Sequence, residues 1–159
     1  MSNTVVQTQV YEVRQFLSNT VKELATYLNY HSIQELMNED GSTDHHYYEE
    51  LLSELRRIEV YCKEALDVVD VILKSKPFRK TAAEKTLYRI YHKCVLEFFF
   101  PKEEVWYENS RALYTGNHSI SFHTDPPVSI KNLILTLEKS FQQIREELDF
   151  YESDEQQWM

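Results

Sequence analysis

His118 and His123 bracket the stretch LYTGNHSISFHT (113–124), where a Gly-Asn pair separates two short alternating runs. Imidazoles at close range could ligate a metal or move protons. A two-residue Gly116-Asn117 loop suits the primed turns of a β-hairpin. It would pair Thr115 with His118, Tyr114 with Ser119 and Leu113 with Ile120, with Leu113, Ile120 and Phe122 on the inner face. His118 would then lie on that face at the turn. His123 would point the other way, with Tyr114, Ser119 and Ser121. Five residues of strand hold the two rings about 16 Å apart. Zinc needs three or four convergent ligands, so no metal site is expected here.

His45 and His46 reach Glu49 and Glu50 at i, i+4, and His31 precedes them in a connecting segment. Adjacent helical residues diverge by about 100°, so only one pair could serve a given ion, and a solvated helix start is the simpler account. A di-iron bundle would need Glu-x-x-His on two helices, and neither copy is present. Phosphate-cradling glycine loops and G-x-S-x-G elbows are also missing. Arg111 and His118 have the R-x6-H spacing of HEPN-type bundle nucleases, but there the motif lies on a helix and here it spans Gly116. The acid pairs in YYEELLSELRR and EALDVVD are similar to the metal-binding carboxylates of MazG-like bundles. In those the acids sit on two helices, whereas here both fall on one. No catalytic residue and no cofactor is assigned.

The basic residues carry more. The chain has a formal charge of −9, yet residues 74–93 hold Lys74, Lys76, Arg79, Lys80, Lys85, Arg89 and Lys93 against one acid, Glu84. The remainder has 10 basic and 25 acidic residues. A polyanion such as DNA is repelled by the average field, so nucleic acid is not an expected partner. Lys74 and Lys76 at a helix C-terminus are explained by the helix dipole alone. Arg79 and Lys80 precede a helix N-terminus, where the dipole disfavours cations unless an anion binds on Thr81 and the free N–H groups. Lys85, Arg89 and Lys93 continue as an i, i+4 stripe. The competing account pairs them with acidic helices such as REELDFYESDE.

The elements that position these residues are helical. Two glycines and four prolines in 159 residues disfavour turn-rich β architecture. Val6, Val10, Val13, Leu17, Val21, Leu24 and Leu28 form one stripe, predicting a helix over about 4–29. Ser32 with Glu35 suits a short capped turn, and Asp40-Gly41 a loop. Leu51, Leu55, Ile58, Cys62, Ala65, Val69 and Ile72 predict a second helix over about 44–75, widened by Leu52, Leu66 and Leu73. A Thr81-x-x-Glu84 capping box opens the third, whose buried edge is Ala83, Leu87, Ile90, Cys94 and Phe98. Pro101 ends it. The fourth is expected to start at an Asp125 N-cap with Pro126 and Pro127 in its first turn. Its stripe is Ile130, Leu133, Leu137, Phe141, Ile144, Leu148 and Tyr151.

Four such stripes are buried most simply in one domain spanning 1–159. The expected fold is all-α with a small β insertion: an antiparallel four-helix bundle, a hairpin insertion over about 104–124 between helices three and four, and a fraying acidic end over 152–159. The start carries no basic segment followed by an apolar core, and no run approaches the ~20 apolar residues that span a bilayer. Cys62 and Cys94 at apolar helical positions suit a reducing cytoplasm. A cytoplasmic protein without membrane association is expected, and a homodimer is left open.

SKPFRKTAAEKTLYRIYHKCV (75–95), WYENSRALYTG (106–116) and REELDFYE (145–152) give the chain a resemblance to the YpuI-like proteins of Bacillus and relatives, over nearly the whole length. The resemblance implies a bacterial cytoplasmic protein and assigns no catalytic residue. The expected function is non-enzymatic protein interaction, with Trp106, Tyr107, Arg111, Tyr114 and His123 as the surface that meets a protein partner, since aromatic and Arg side chains dominate interface hot spots. The alternative is a small anionic ligand held by Arg79, Lys80, Thr81, Lys85, Arg89 and Lys93, and a third reading is an enzyme of unassigned reaction.

Overall fold

Local capping sets where the first three helices begin. In the computed structural model, which describes residues 1–41, 44–109 and 118–153 (Asp40 by its backbone alone), the Ser2 hydroxyl accepts the Val5 N–H and opens α1, Asn3–Tyr30. Ser32 does the same for Glu35 at the head of α2, Ile33–Asp40, which ends on Gly41 at φ 64°, a left-handed conformation that glycine adopts without a Cβ penalty. Asp44 accepts from Tyr47 and starts α3, His45–Lys74. The expected stripes face inward. Val6, Val10, Val13, Leu17, Leu24 and Leu28 of α1 are buried, as are Leu51, Leu55, Ile58, Cys62, Val69 and Ile72 of α3. α1 packs most extensively on α3, and also on the helices Lys80–Ile90 and Val128–Glu147.

α4, Lys80–Ile90, continues through a π-helical turn, Tyr91–Val95, into the short α5, Leu96–Phe99. The wider turn lets Tyr91, Val95 and Phe99 join Ile90, Cys94 and Phe98 in the core, a broader face than an α-helical stripe offers. Thr81 does not cap this helix. Arg79 occupies the N-cap position without a side-chain cap bond, its carbonyl accepting from Ala83, and Thr81 falls inside the first turn and is exposed. Glu84, the other half of the expected capping box, is buried instead.

A two-stranded antiparallel sheet of β1, Trp106–Glu108, and β2, Ile120–Phe122, precedes α6, Val128–Glu147, and a 3-10 turn, Asp149–Glu152. The register differs from the expected hairpin. Ile120 pairs with Glu108, Ser121 with Tyr107 and Phe122 with Trp106; Leu113 and the Gly116-Asn117 pair lie outside the described residues. α6 also starts later than expected: Pro127, not Asp125, is the N-cap, and its carbonyl accepts from Lys131. The carbonyl of Thr124 is engaged elsewhere, by the Tyr47 hydroxyl. The described chain is thus mainly helical with a small two-stranded insertion. No helix among the described residues is long and apolar enough to cross a membrane.

Candidate binding site

The sheet region is fastened to the helices by buried polar groups. The Tyr47 hydroxyl, on α3, lies 2.9 Å from the carbonyls of both Val105 and Thr124, which flank the two strands at the same end of the pair. Burial pushes its pKa up to about 12 despite the Thr124 bond, with Asp44 and Asp125 adding to the rise. Glu138, on α6, receives the Ser119 and Ile120 N–H groups at 3.0 and 3.1 Å, one on each carboxylate oxygen, and the Ser119 hydroxyl at 3.4 Å. Ser119 is therefore fully buried, although the alternation placed it outward, and His118 is exposed, with Nδ1 3.7 Å from Glu138. Arg145, also on α6, bonds Glu108 and lies over the Phe99 ring at 4.5 Å.

Glu54 completes this set. It is 1% exposed, accepts the Glu103 N–H at 3.1 Å and pairs with Arg57 at 2.6 Å. Burial raises its pKa, aided by the charges of Glu103 and Glu97 and opposed by the Glu103 N–H and Arg57. All of these groups have partners inside the fold, and each is a structural clamp.

Trp106 belongs to the same category. It was expected on the interaction surface, but it is 2% exposed, donates its indole N–H to the Phe98 carbonyl at 2.7 Å and packs near Phe98 and Phe122. An indole that can cap the last turn of a helix while filling the core is worth more inside than out. Tyr107 and His123 are exposed, with ring centroids 4.9 Å apart on the outer face. Arg111 and Tyr114 lie outside the described residues.

The other histidines are accounted for locally. His45 and His46 meet Glu49 and Glu50 at 3.6 and 2.9 Å on an exposed helix start. His31 stacks on Tyr27 and bonds its carbonyl, and the His92 Nε2 lies 3.0 Å from the Tyr151 carbonyl. Among the described residues no three His, Cys, Asp or Glu side chains converge as metal ligands would.

The basic face of α4 is organised differently. Arg79, Thr81, Arg89 and Lys93 are exposed, and Lys80 and Lys85 half-buried. Among the described residues no carboxylate lies within 4.0 Å of Arg79, Lys80, Arg89 or Lys93. Glu84 is turned into the protein, where its charge and, more strongly, burial raise the Tyr151 pKa. The stretch's one acid is thus withdrawn from the surface that its cations occupy.

Between this face and α3 runs a groove of about 150 Å³. Tyr61, Ala65 and Val68 of α3 form one wall, and Ile90 and Cys94 the other. Arg89 and Lys93 stand at its edge, Lys93 Nζ 5.0 Å over the Tyr61 ring, with Thr86 and Glu64 also lining it. Sequence reasoning found the cations but not the groove, because Tyr61 and Val68 lie off the α3 stripe and read as surface. A wider cleft of about 1230 Å³ opens where α1, α2 and α3 meet, beside His31 and Arg56. Its lining charges are of both signs, Glu35 and Glu49 against Arg56, with His31 and His45 beside them, so it carries no excess of cations like that of the α4 face.

Residues 10–157 match the family described as "Protein of unknown function (DUF3907)". The chain belongs to this family. It is also 39% identical over 153 residues, 96% of this chain and 85% of the relative, to "Uncharacterized protein YpuI" of Bacillus subtilis (strain 168). The resemblance drawn from the 75–95, 106–116 and 145–152 segments therefore holds across nearly the whole chain. No solved structure matches it. Neither family description names an activity, so the family supplies no site, and the arrangement on α3 and α4 must be judged on its own chemistry.

Proposed function

We propose that the chain is a non-enzymatic binding module of the bacterial cytoplasm, built on an antiparallel four-helix bundle of α1, α3, α4 and α6, that holds an anionic ligand on the basic face of α4. The observation that carries this reading is the contrast in partnering. Among the described residues, Arg79, Arg89 and Lys93 are exposed with no carboxylate within 4.0 Å, while Glu84 is buried. In a chain with net charge −9, acidic partners for these cations are abundant, and the lack of one among the described residues favours an external anion. The side-chain bond missing at the α4 N-cap adds free backbone donors to the same end of the face. Ligands carrying phosphate, added at millimolar concentration, should raise the unfolding midpoint by mass action. Arg89→Ala should abolish the rise. No rise, or one that survives this substitution, removes the proposal.

A second reading, binding of a protein partner, is favoured by the exposed Tyr107–His123 ring pair on the outer face of the sheet. It has lost Trp106 as an anchor. Size-exclusion with light scattering on wild type and Tyr107→Ala tests self-association on this face as one case of it, a homodimer being the result that supports the face.

A further inference from the structure

We infer that the α3–α4 groove selects amphipathic anions, a carboxylate or phosphate joined to one apolar group about the size of an aromatic ring; this rests on the anion-binding reading and specifies its ligand class. Three observations converge on it. First, the walls are apolar where they are deepest: Ala65, Ile90 and Cys94 are buried or half-buried, with Tyr61 and Val68 beside them. Second, the size fits a single ring, since an apolar cavity near 150 Å³ accommodates benzene. Third, the charges stand at the edge of the groove and not in its floor. Among the described residues, Arg89 and Lys93 are both exposed and have no carboxylate within 4.0 Å, and Glu64, the one described acid that lines the groove, does not approach either within that distance. A ligand with its ring between Tyr61 and Ile90 would bring its anionic head to the Arg89 fork and the Lys93 ammonium together. Arg89 suits a planar carboxylate or a phosphate in bidentate fashion, and Lys93 adds a point charge.

The helix geometry under the groove supports the same assignment. Ile90 is the last α-helical residue, and Lys93 and Cys94 lie in the π-helical turn. π turns are rare and occur frequently at functional sites. Here the turn carries one of the two edge cations and one apolar wall residue. Lys93 also lies over the Tyr61 ring, which places its ammonium beside a wall of the groove.

Isothermal titration of the full chain with phenyl phosphate, inorganic phosphate and benzyl alcohol separates the parts of this inference. Phenyl phosphate should bind at least tenfold more tightly than either of the others. Ala65→Phe, which fills the groove without touching a charge, should remove that advantage and leave inorganic phosphate binding as it was. Val68→Gln, which makes an exposed position of the same wall polar without adding charge, should do likewise if Ala65→Phe impairs folding by circular dichroism. Equal affinities for phenyl phosphate and inorganic phosphate would overturn the groove's role while leaving the anion face standing. Equal affinities for phenyl phosphate and benzyl alcohol would overturn the role of Arg89 and Lys93. Binding of none of the three would overturn the inference and weigh against the anion face itself.

Discussion

The sheet region and the basic face of α4 both concentrate charged side chains, and they treat them in opposite ways. Around the sheet, Glu54, Glu108, Glu138 and Arg145 are withdrawn from water and matched to backbone N–H groups or to one another. On the α4 face, Arg79, Arg89 and Lys93 remain in solvent with no carboxylate within 4.0 Å among the described residues. Burying a charge is costly unless partners are supplied, so the first set is committed to holding the fold. The second set contributes little to it, and a ligand can use it without dismantling anything. The difference teaches that partnering, more than charge density, separates the charges committed to the fold from those left exposed in this molecule.

Substitutions should reproduce that division, most strongly at the sheet. Trp106→Ala removes a buried ring and leaves the Phe98 carbonyl unpaired, and should cost about 4 kcal/mol in urea unfolding. A loss below about 1 kcal/mol would mean that Trp106 is not the core residue described. Glu138→Ala strands two buried N–H donors and should cost about 2–3 kcal/mol. Glu138→Gln, which keeps an acceptor, should cost less; equal losses would show that the two backbone bonds do not set the effect.

Glu54 gives the comparison a pH axis. Its folded pKa is raised, so the folded state holds the proton more firmly than the unfolded chain does. Its contribution is therefore fully present below the ordinary carboxylate value of 4.5 and is lost as pH rises through the folded pKa. Urea titrations from pH 4 to 7 should show wild type losing ground to Glu54→Gln as pH increases. A gap that moves the other way would mean that Arg57 and the Glu103 N–H outweigh burial. On α4, single substitutions of Arg79, Arg89 or Lys93 to Ala should change stability by no more than about 0.5 kcal/mol.

Sequence periodicity reveals the helices well and the sheet poorly, for physical reasons. The stripes of α1, α3, α4 and α6 are local patterns, and local patterns dictate which helical face is buried; Ser2, Ser32 and Asp44 likewise act within three residues. The strand register is not local. Ile120 is fixed by a carboxylate 18 residues further on and pairs with Glu108, so a Gly-Asn turn signal between them says little about its partner. The same holds for Thr81 and Asp125, plausible caps that lose their positions to Arg79 and Pro127. Of the candidate site, the cations were legible as a charge anomaly. The groove was not, because Tyr61 and Val68, which lie off the α3 stripe, join stripe residues Ala65, Ile90 and Cys94 only once the two helices pack.

The central claim, that the α4 cations are held for a ligand and not for the fold, is tested most directly by an Arg89→Ala/Lys93→Ala double variant. Its unfolding midpoint should be followed with and without millimolar phenyl phosphate. The account predicts a ligand-free stability within about 1 kcal/mol of wild type and no rise on adding the ligand, where wild type does rise. A double variant that is severely destabilised, or that keeps the full ligand-induced rise, would contradict it.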